Sequence, residues 1–84
     1  MYKIEILSTA DKNLRRINSK DREKIAQGIN KLSNNPRPQG SKKLKGSDFY
    51  RLRIGDYRVI YLIKEKQLIV IIVRIGHRRE IYRQ

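Results

Sequence analysis

The sequence predicts a two-layer α+β domain in which a helical hairpin covers one face of an antiparallel β-meander. Three features predict this fold: an alternating first segment, two helical apolar stripes in the first half, and three runs rich in β-branched and aromatic residues in the second half. Helices that precede a group of strands are typical of α+β domains. The 84-residue length, without repeats or a linker, predicts one domain over residues 1–84.

The first half predicts a strand followed by two helices. Residues 2–7 alternate apolar and charged side chains, as expected for a strand with one buried face. Ser8, with Asp11 three residues later, matches a capping box and predicts that the Ser8 hydroxyl caps the first helix. The apolar stripe of this helix is Ala10, Leu14 and Ile17.

A second helix follows a predicted break and cap at Asn18-Ser19. Its stripe continues to about Ser33, and Pro36 ends it because the residue before a proline avoids helical backbone angles. The stripe consists of Ile25, Ile29 and Leu32.

The second half predicts a loop over residues 36–48 and then a meander with short turns. The third run is apolar at nearly every position, which favours an interior strand covered by the helices on at least one face. Gly76 should end it, and residues 80–82 are interpreted as a terminal strand or turn. The three predicted meander strands are Phe49–Ile54, Tyr57–Ile63 and Leu68–Ile75.

The charge favours a polyanionic partner. The chain has 21 Lys and Arg against 8 Asp and Glu, a net charge of +13, and a pI near 10.5. Such an excess attracts nucleic acid, although a solvated cationic surface or an acidic protein partner would explain the same number.

Other features argue against secretion and membrane insertion. There is no cysteine, which fits a reducing compartment, and the first segment lacks the continuous apolar run of a signal peptide. The longest aliphatic runs are much shorter than the roughly 20 residues of a membrane-spanning helix. We therefore expect a cytoplasmic protein without a membrane partner.

Several arginines are predicted to converge on the uncovered face of the sheet. Arg51 and Arg53 are two residues apart and share a face, and a tight Gly55-Asp56 turn would place Arg58 opposite Arg53. Arg78 and Arg79 follow the last strand. Guanidinium groups hold phosphates through paired hydrogen bonds, whereas a merely solvated face would not be expected to place like charges opposite each other.

No other catalytic pattern is present. His77 is the only histidine, so a metal site there would have no second histidine and no cysteine as ligands, and there is no glycine-rich phosphate loop. We therefore expect neither a metal nor a cofactor. The lysines of the predicted loop, Lys42, Lys43 and Lys45, could steer a polyanion or simply be solvated.

Four segments together resemble the successive signatures of the RelE/ParE toxin superfamily: Leu44–Gly46, Phe49–Arg53, Gly55–Tyr61 and Gly76–Tyr82. The resemblance implies two helices packed on a small twisted sheet. It also implies a type II toxin that enters the ribosomal decoding site and cuts messenger RNA without a metal. Its partners would be the ribosome, mRNA and a cognate antitoxin.

The resemblance also implies roles for individual residues. Arg58 and Arg78 would stabilise charge on the attacked phosphate, and Tyr82 or His77 would handle protons, because arginine stays protonated. The strand pair Arg51 and Arg53 stands where some relatives carry lysines. The expected RNA-binding residues are Arg51, Arg53, Lys43, Lys45 and Arg79.

Three other functions remain open from the sequence. The ParE branch of the superfamily inhibits DNA gyrase without cutting RNA, and the Arg78-to-Tyr82 ending favours the nuclease over it. A plain RNA-binding module would call for an exposed aromatic platform, which the sequence does not make evident. An inactive relative is compatible with arginines, rather than lysines, at positions 51 and 53 of the first meander strand.

Overall fold

Two helices pack on one face of a five-stranded sheet in the computed structural model, which describes residues 1–77. Strands β3 to β5 form the predicted meander, so the predicted α+β class is confirmed. The strand order is β1-β5-β4-β3-β2. The elements are β1 (Lys3–Ile6), α1 (Ser8–Arg15), α2 (Ser19–Lys31), β2 (Ser41–Lys43), β3 (Tyr50–Ile54), β4 (Tyr57–Lys64) and β5 (Ile69–His77).

The first strand lies at an edge of the sheet, where it pairs in parallel with β5, while all other neighbours are antiparallel. The chain therefore leaves β1, forms both helices, and returns to the far edge of the sheet before the meander begins. This path places both helices on one face and leaves the other face uncovered by any element within residues 1–77.

The start of α1 differs from the prediction. Leu7, rather than Ser8, is the N-cap residue, and no side chain caps the helix. The Leu7 amide still donates to the Ile72 carbonyl of β5, while the Leu7 carbonyl already accepts from Asp11. Because the strand passes directly into the helix, Ser8 is already helical and the predicted capping box is wrong.

The predicted cap of α2 is confirmed. The Asn18 side-chain oxygen accepts a hydrogen bond from the Asp21 amide at 2.9 Å. Helix α2 then ends at Lys31, close to the predicted end.

The predicted loop over residues 36–48 contains one element that the sequence did not indicate. Strand β2 has the sequence Ser-Lys-Lys and pairs with β3 at the edge of the sheet. Three polar residues carry no apolar alternation, so only pairing with β3 identifies them as a strand.

The core lies between the helices and the sheet and consists mainly of aliphatic side chains. Tyr61 is its largest fully buried member, and its hydroxyl donates to the Pro36 carbonyl at 2.8 Å. Gly28 brings α2 close to β3, since a Cβ atom at this position would overlap Ile54 Cδ1 and lie 3.2 Å from Cγ1. The buried apolar residues are Ala10, Ile17, Ile25, Ile29, Leu32, Leu52, Val59, Tyr61, Val70, Ile72 and Ile75.

Strand β5 contains a bulge that decides which of its side chains face the helices. Ile60 pairs with Arg74, but the next residue, Tyr61, pairs with Ile72, which leaves Val73 as an extra residue. Buried positions are accordingly spaced by three across the bulge, from Ile72 to Ile75. The side chains of residues 74–77 therefore point to the face opposite the one that strict alternation would give.

No helix within residues 1–77 is long and apolar enough to cross a membrane.

Candidate functional site

The uncovered face of the sheet carries a group of cations, which we call the open-face cations: Lys42, Arg51, Arg53, Arg58 and Arg74. Lys42 pairs with Arg51, Arg51 and Arg74 both pair with Ile60, and Arg53 pairs with Arg58. Because Arg51 and Arg53 are two residues apart on β3, all five side chains lie on one face. The alternate residues of β3, including the buried Leu52, point toward the helices.

Arg53 and Arg58 form the predicted cross-strand pair. They are directly opposite in the β3–β4 register, next to the turn in which Gly55 adopts a φ of 59°. Side chains at such positions leave Cβ atoms about 5 Å apart, and like charges placed there repel each other. The Arg53 Nε group makes one long hydrogen bond, 3.4 Å to the Gly55 carbonyl, which does not offset that repulsion.

Arg58 is the most unusual residue of the face. Its exposed fraction is only 8%, yet neither Nε nor Nη1 has a hydrogen-bond partner within residues 1–77. A charged donor that is buried without an acceptor is strongly destabilising. This geometry favours an anion, contributed from outside residues 1–77, that accepts hydrogen bonds from Arg58.

Arg74 is a member of the face that sequence reasoning missed, and Lys42 is one that it named only as a loop lysine. Arg74 pairs with Ile60 on β4, Ile60 pairs with Arg51 on β3, and Arg51 pairs with Lys42 on β2. The row crosses four strands, a span of roughly 14 Å at the usual strand spacing. Alternation from the buried Ile72 would have placed Arg74 in the core, and Lys42 lay in a segment predicted as loop, so neither had a usable signal.

The two loop lysines chosen from the sequence lie elsewhere. Lys43 pairs with Tyr50, whose ring stacks on the buried Tyr61, so Lys43 points to the helix-covered side of the edge strand. Lys45 lies in the β2–β3 turn beside Gly46. The structure therefore does not bring Lys43 to the open-face cations.

His77 is also placed on the other face. It pairs with Tyr57, and the two rings meet edge to face with centroids 5.7 Å apart. Both rings line a depression against α1 together with Asn13, Arg16 and Ile17. Gly76, not His77, is the residue opposite Arg58.

The remaining predicted site residues, Arg78, Arg79 and Tyr82, lie outside the described residues. Within residues 1–77 there is no cluster of three or more His, Cys, Asp or Glu side chains that could hold a metal ion.

A second polar cluster joins distant parts of the chain away from the open-face cations. The Tyr2 hydroxyl donates to Glu65 at 2.7 Å, and the Arg37 guanidinium pairs with the same carboxylate and donates to the Tyr50 hydroxyl at 3.1 Å. The hydrogen bonds from Tyr2 and Arg37 lower the pKa of Glu65, and the bond to Glu65 raises the pKa of Tyr2. The cluster ties β1, the loop after α2 and the β4–β5 turn together.

Comparisons with known proteins agree on one family. The model of the ParE toxin of type II toxin–antitoxin systems matches residues 4–82. A curated Methanocaldococcus jannaschii protein named "Putative toxin RelE1" is 35% identical over 98% of this chain and 96% of its own length.

Solved structures give the same result. The archaeal RelE–RelB complex of Pyrococcus horikoshii matches with a TM-score of 0.83 and 29% identity, covering 92% of this chain and 94% of that one. The intact Escherichia coli RelBE toxin–antitoxin complex matches with a TM-score of 0.78 and 26% identity, covering 92% and 96%. With a family model that spans nearly the whole sequence and a curated relative above 30% identity, the chain belongs to the RelE/ParE superfamily of type II toxin–antitoxin toxins.

Proposed function

We propose that this toxin is an endoribonuclease that cuts messenger RNA in the ribosomal decoding site and thereby inhibits translation. The observation that carries the proposal is Arg58, a buried guanidinium whose Nε and Nη1 donors have no acceptor within residues 1–77 and which faces Arg53 on the uncovered side of the sheet. A phosphodiester is the kind of anion that would satisfy both residues at once.

The proposed reaction is attack of a ribose 2′-hydroxyl on the adjacent phosphate, with departure of the 5′-oxygen. Negative charge grows on the phosphate oxygens during the attack, and fixed cations aimed at them supply the stabilisation. Arg58 suits this role because the surrounding sheet already holds it in place before substrate arrives. Arg51 and Arg53, with Lys42 and Arg74, would position the backbone on either side.

Proton transfer needs a group other than arginine, which stays protonated. We propose Tyr82 for this role and Arg78 as the second cation at the phosphate. His77 points to the face away from Arg58, so it is the weaker candidate. We keep Arg79 and Lys45 as contacts that attract RNA, and Lys43 only as a contributor to the overall field.

An antitoxin is the proposed protein partner. The two solved relatives described above are complexes of RelE with RelB. A segment that folds on binding and carries acidic side chains would neutralise the open-face cations and block RNA. Mass spectrometry of the complex isolated from its native cells should show such a protein; recovery of the toxin always alone would contradict this.

Inhibition of DNA gyrase is the second candidate, because the matching family model is that of the ParE toxin. In that case the open-face cations would bind protein or DNA, and no RNA would be cut.

One pair of assays separates the two functions. Purified toxin is added to translating ribosomes, with cleavage mapped by primer extension, and to gyrase, with supercoiling followed on a gel. We expect cleavage within the decoding site and unchanged supercoiling. Arg58→Gln and Tyr82→Phe should lower the cleavage rate by about 100-fold or more, whereas Arg15→Ala, on α1, should not. Inhibited gyrase with intact messages would assign the second function.

A further inference from the structure

An exposed aromatic ring lies beside the open-face cations. Phe49 directly precedes β3 and is 36% exposed. Its backbone is held at both ends: the carbonyl accepts from the Leu44 amide at 2.8 Å, and the amide donates to the Ser47 hydroxyl at 3.2 Å. The ring therefore stands on a fixed backbone and not on a loose loop.

The position of Phe49 relative to its neighbours places it on the uncovered face. Tyr50 points toward the helices, where it stacks on Tyr61, so alternation directs Phe49 to the same side as Arg51. Continuing the β3–β4 register by one residue sets Phe49 opposite Leu62. Both line a depression at the edge of the sheet, which Lys43 and Tyr50 line from the helix-covered side. Leu62 in turn pairs with Ile71 on β5.

Two parallel rows of side chains thus cross the sheet. One row is Lys42, Arg51, Ile60 and Arg74, and the other is Phe49, Leu62 and Ile71. They are separated by two residues along a strand, roughly 7 Å, which is comparable with the reach of a nucleotide from its phosphate to its base. A single exposed phenylalanine is common on protein surfaces; an aromatic ring beside a row of cations is the arrangement that binds single-stranded nucleic acid.

We propose that Phe49 is a stacking platform for an unpaired nucleobase of the RNA. The phosphate of that nucleotide lies on Lys42 and Arg51, and Leu62 extends the apolar floor beside the ring. The inference rests on the proposed function, because it takes single-stranded RNA as the ligand. Stacking strength grows with the area of the base, so this subsite favours a purine over a pyrimidine.

Binding of two matched oligonucleotides tests the subsite. The probes are a 2′-O-methyl hexamer of adenosine, which cannot be cleaved, and the same backbone without bases. Wild-type toxin should bind the adenosine hexamer about tenfold more tightly than the abasic one. Phe49→Leu should abolish most of this difference while leaving abasic binding and its salt dependence unchanged, and Phe49→Tyr should retain the difference.

Leu7→Ala is the matched control, because Leu7 is similarly exposed but follows β1 at the other edge of the sheet. It should keep the wild-type preference, and thermal melts should show that all variants are folded. Equal binding of both probes by wild type, or an unchanged preference in Phe49→Leu, would overturn the subsite while leaving RNA cleavage intact. Failure of wild type to bind either probe, together with no cleavage on ribosomes, would overturn the proposed function and this inference with it.

Discussion

Arg53 and Arg58 stand directly opposite each other in the β3–β4 register, on the face of the sheet that the helices leave uncovered. One of the two is exposed and the other is almost completely buried. A fold selected for stability alone would not place two guanidinium groups in this way, because they repel each other and Arg58 loses its hydration. The pair therefore marks a place where stability is reduced in favour of anion binding.

Replacing Arg58 by methionine should separate stability from activity. Arg58→Met keeps most of the side-chain volume but removes a buried charge and its repulsion from Arg53. We expect the free energy of unfolding to stay unchanged or to rise by about 1 kcal/mol, because uncharged replacements of buried ionic groups are often neutral or stabilising. Cleavage of mRNA on ribosomes should be lost. Denaturant unfolding and primer extension measure the two effects, and a loss of stability above about 2 kcal/mol would show that Arg58 is structural.

Two adjacent lysines give a matched test of which face binds RNA. Lys42 shares the face of Arg51, whereas Lys43 points to the other side with Tyr50. For single-stranded RNA, Lys42→Ala should reduce the slope of log K against log salt by about 0.7, the value for one lost phosphate contact. Lys43→Ala removes the same charge from the sequence but should leave the slope close to the wild-type value. Equal changes in the two variants would mean that RNA affinity depends only on net charge, and that the open-face cations do not form the RNA-binding surface.

The cluster around Glu65 predicts a pH dependence of stability. The folded-state pKa of Glu65 lies below its ordinary value near 4.5, because Tyr2 and Arg37 both hydrogen-bond to the carboxylate. The stabilisation is therefore fully present above pH 4.5 and is lost as the pH falls through the folded-state pKa. Glu65→Gln should flatten this part of the profile in thermal melts between pH 6 and pH 3. The control is Glu23→Gln, which removes a carboxylate on α2 outside this cluster; an unchanged profile in Glu65→Gln would contradict the assignment.

The close approach of α2 to β3 predicts that position 28 is sensitive to size. A Cβ at Gly28 already overlaps Ile54, so Gly28→Leu should force the helix and the strand apart. We expect a loss of about 1–3 kcal/mol in the free energy of unfolding, typical of overpacked sites. Lys20→Leu introduces the same side chain at an exposed position of the same helix and should change stability by less than about 0.5 kcal/mol. Similar changes in the free energy of unfolding for both variants would show that the contact between α2 and β3 accommodates a larger side chain.

The local pattern predicted most of the elements because each obeys its own periodicity. Alternation in the first segment, the stripe of Ile25, Ile29 and Leu32, and the β-branched runs after Phe49 each correspond to an element of the predicted type. Strand β2 was not predicted, because a short polar edge strand has no apolar face that the sequence could reveal. The pairing of β1 with β5 was not predicted either, since no local pattern indicates that two segments more than 60 residues apart will form neighbouring strands.

The candidate site likewise has features that could be predicted from the sequence and features that could not. The pairing of Arg53 with Arg58 could be predicted, because a tight turn fixes the register of its two strands. The faces of the sheet on which Arg74 and His77 lie could not be predicted. Charge and periodicity are properties of the chain, so they are enough to identify a strongly basic α+β domain with arginines on a meander. Strand pairing establishes which cations share a face, because the one extra residue at Val73 reverses the side chains of residues 74–77, and a bulge exists only when two strands are paired.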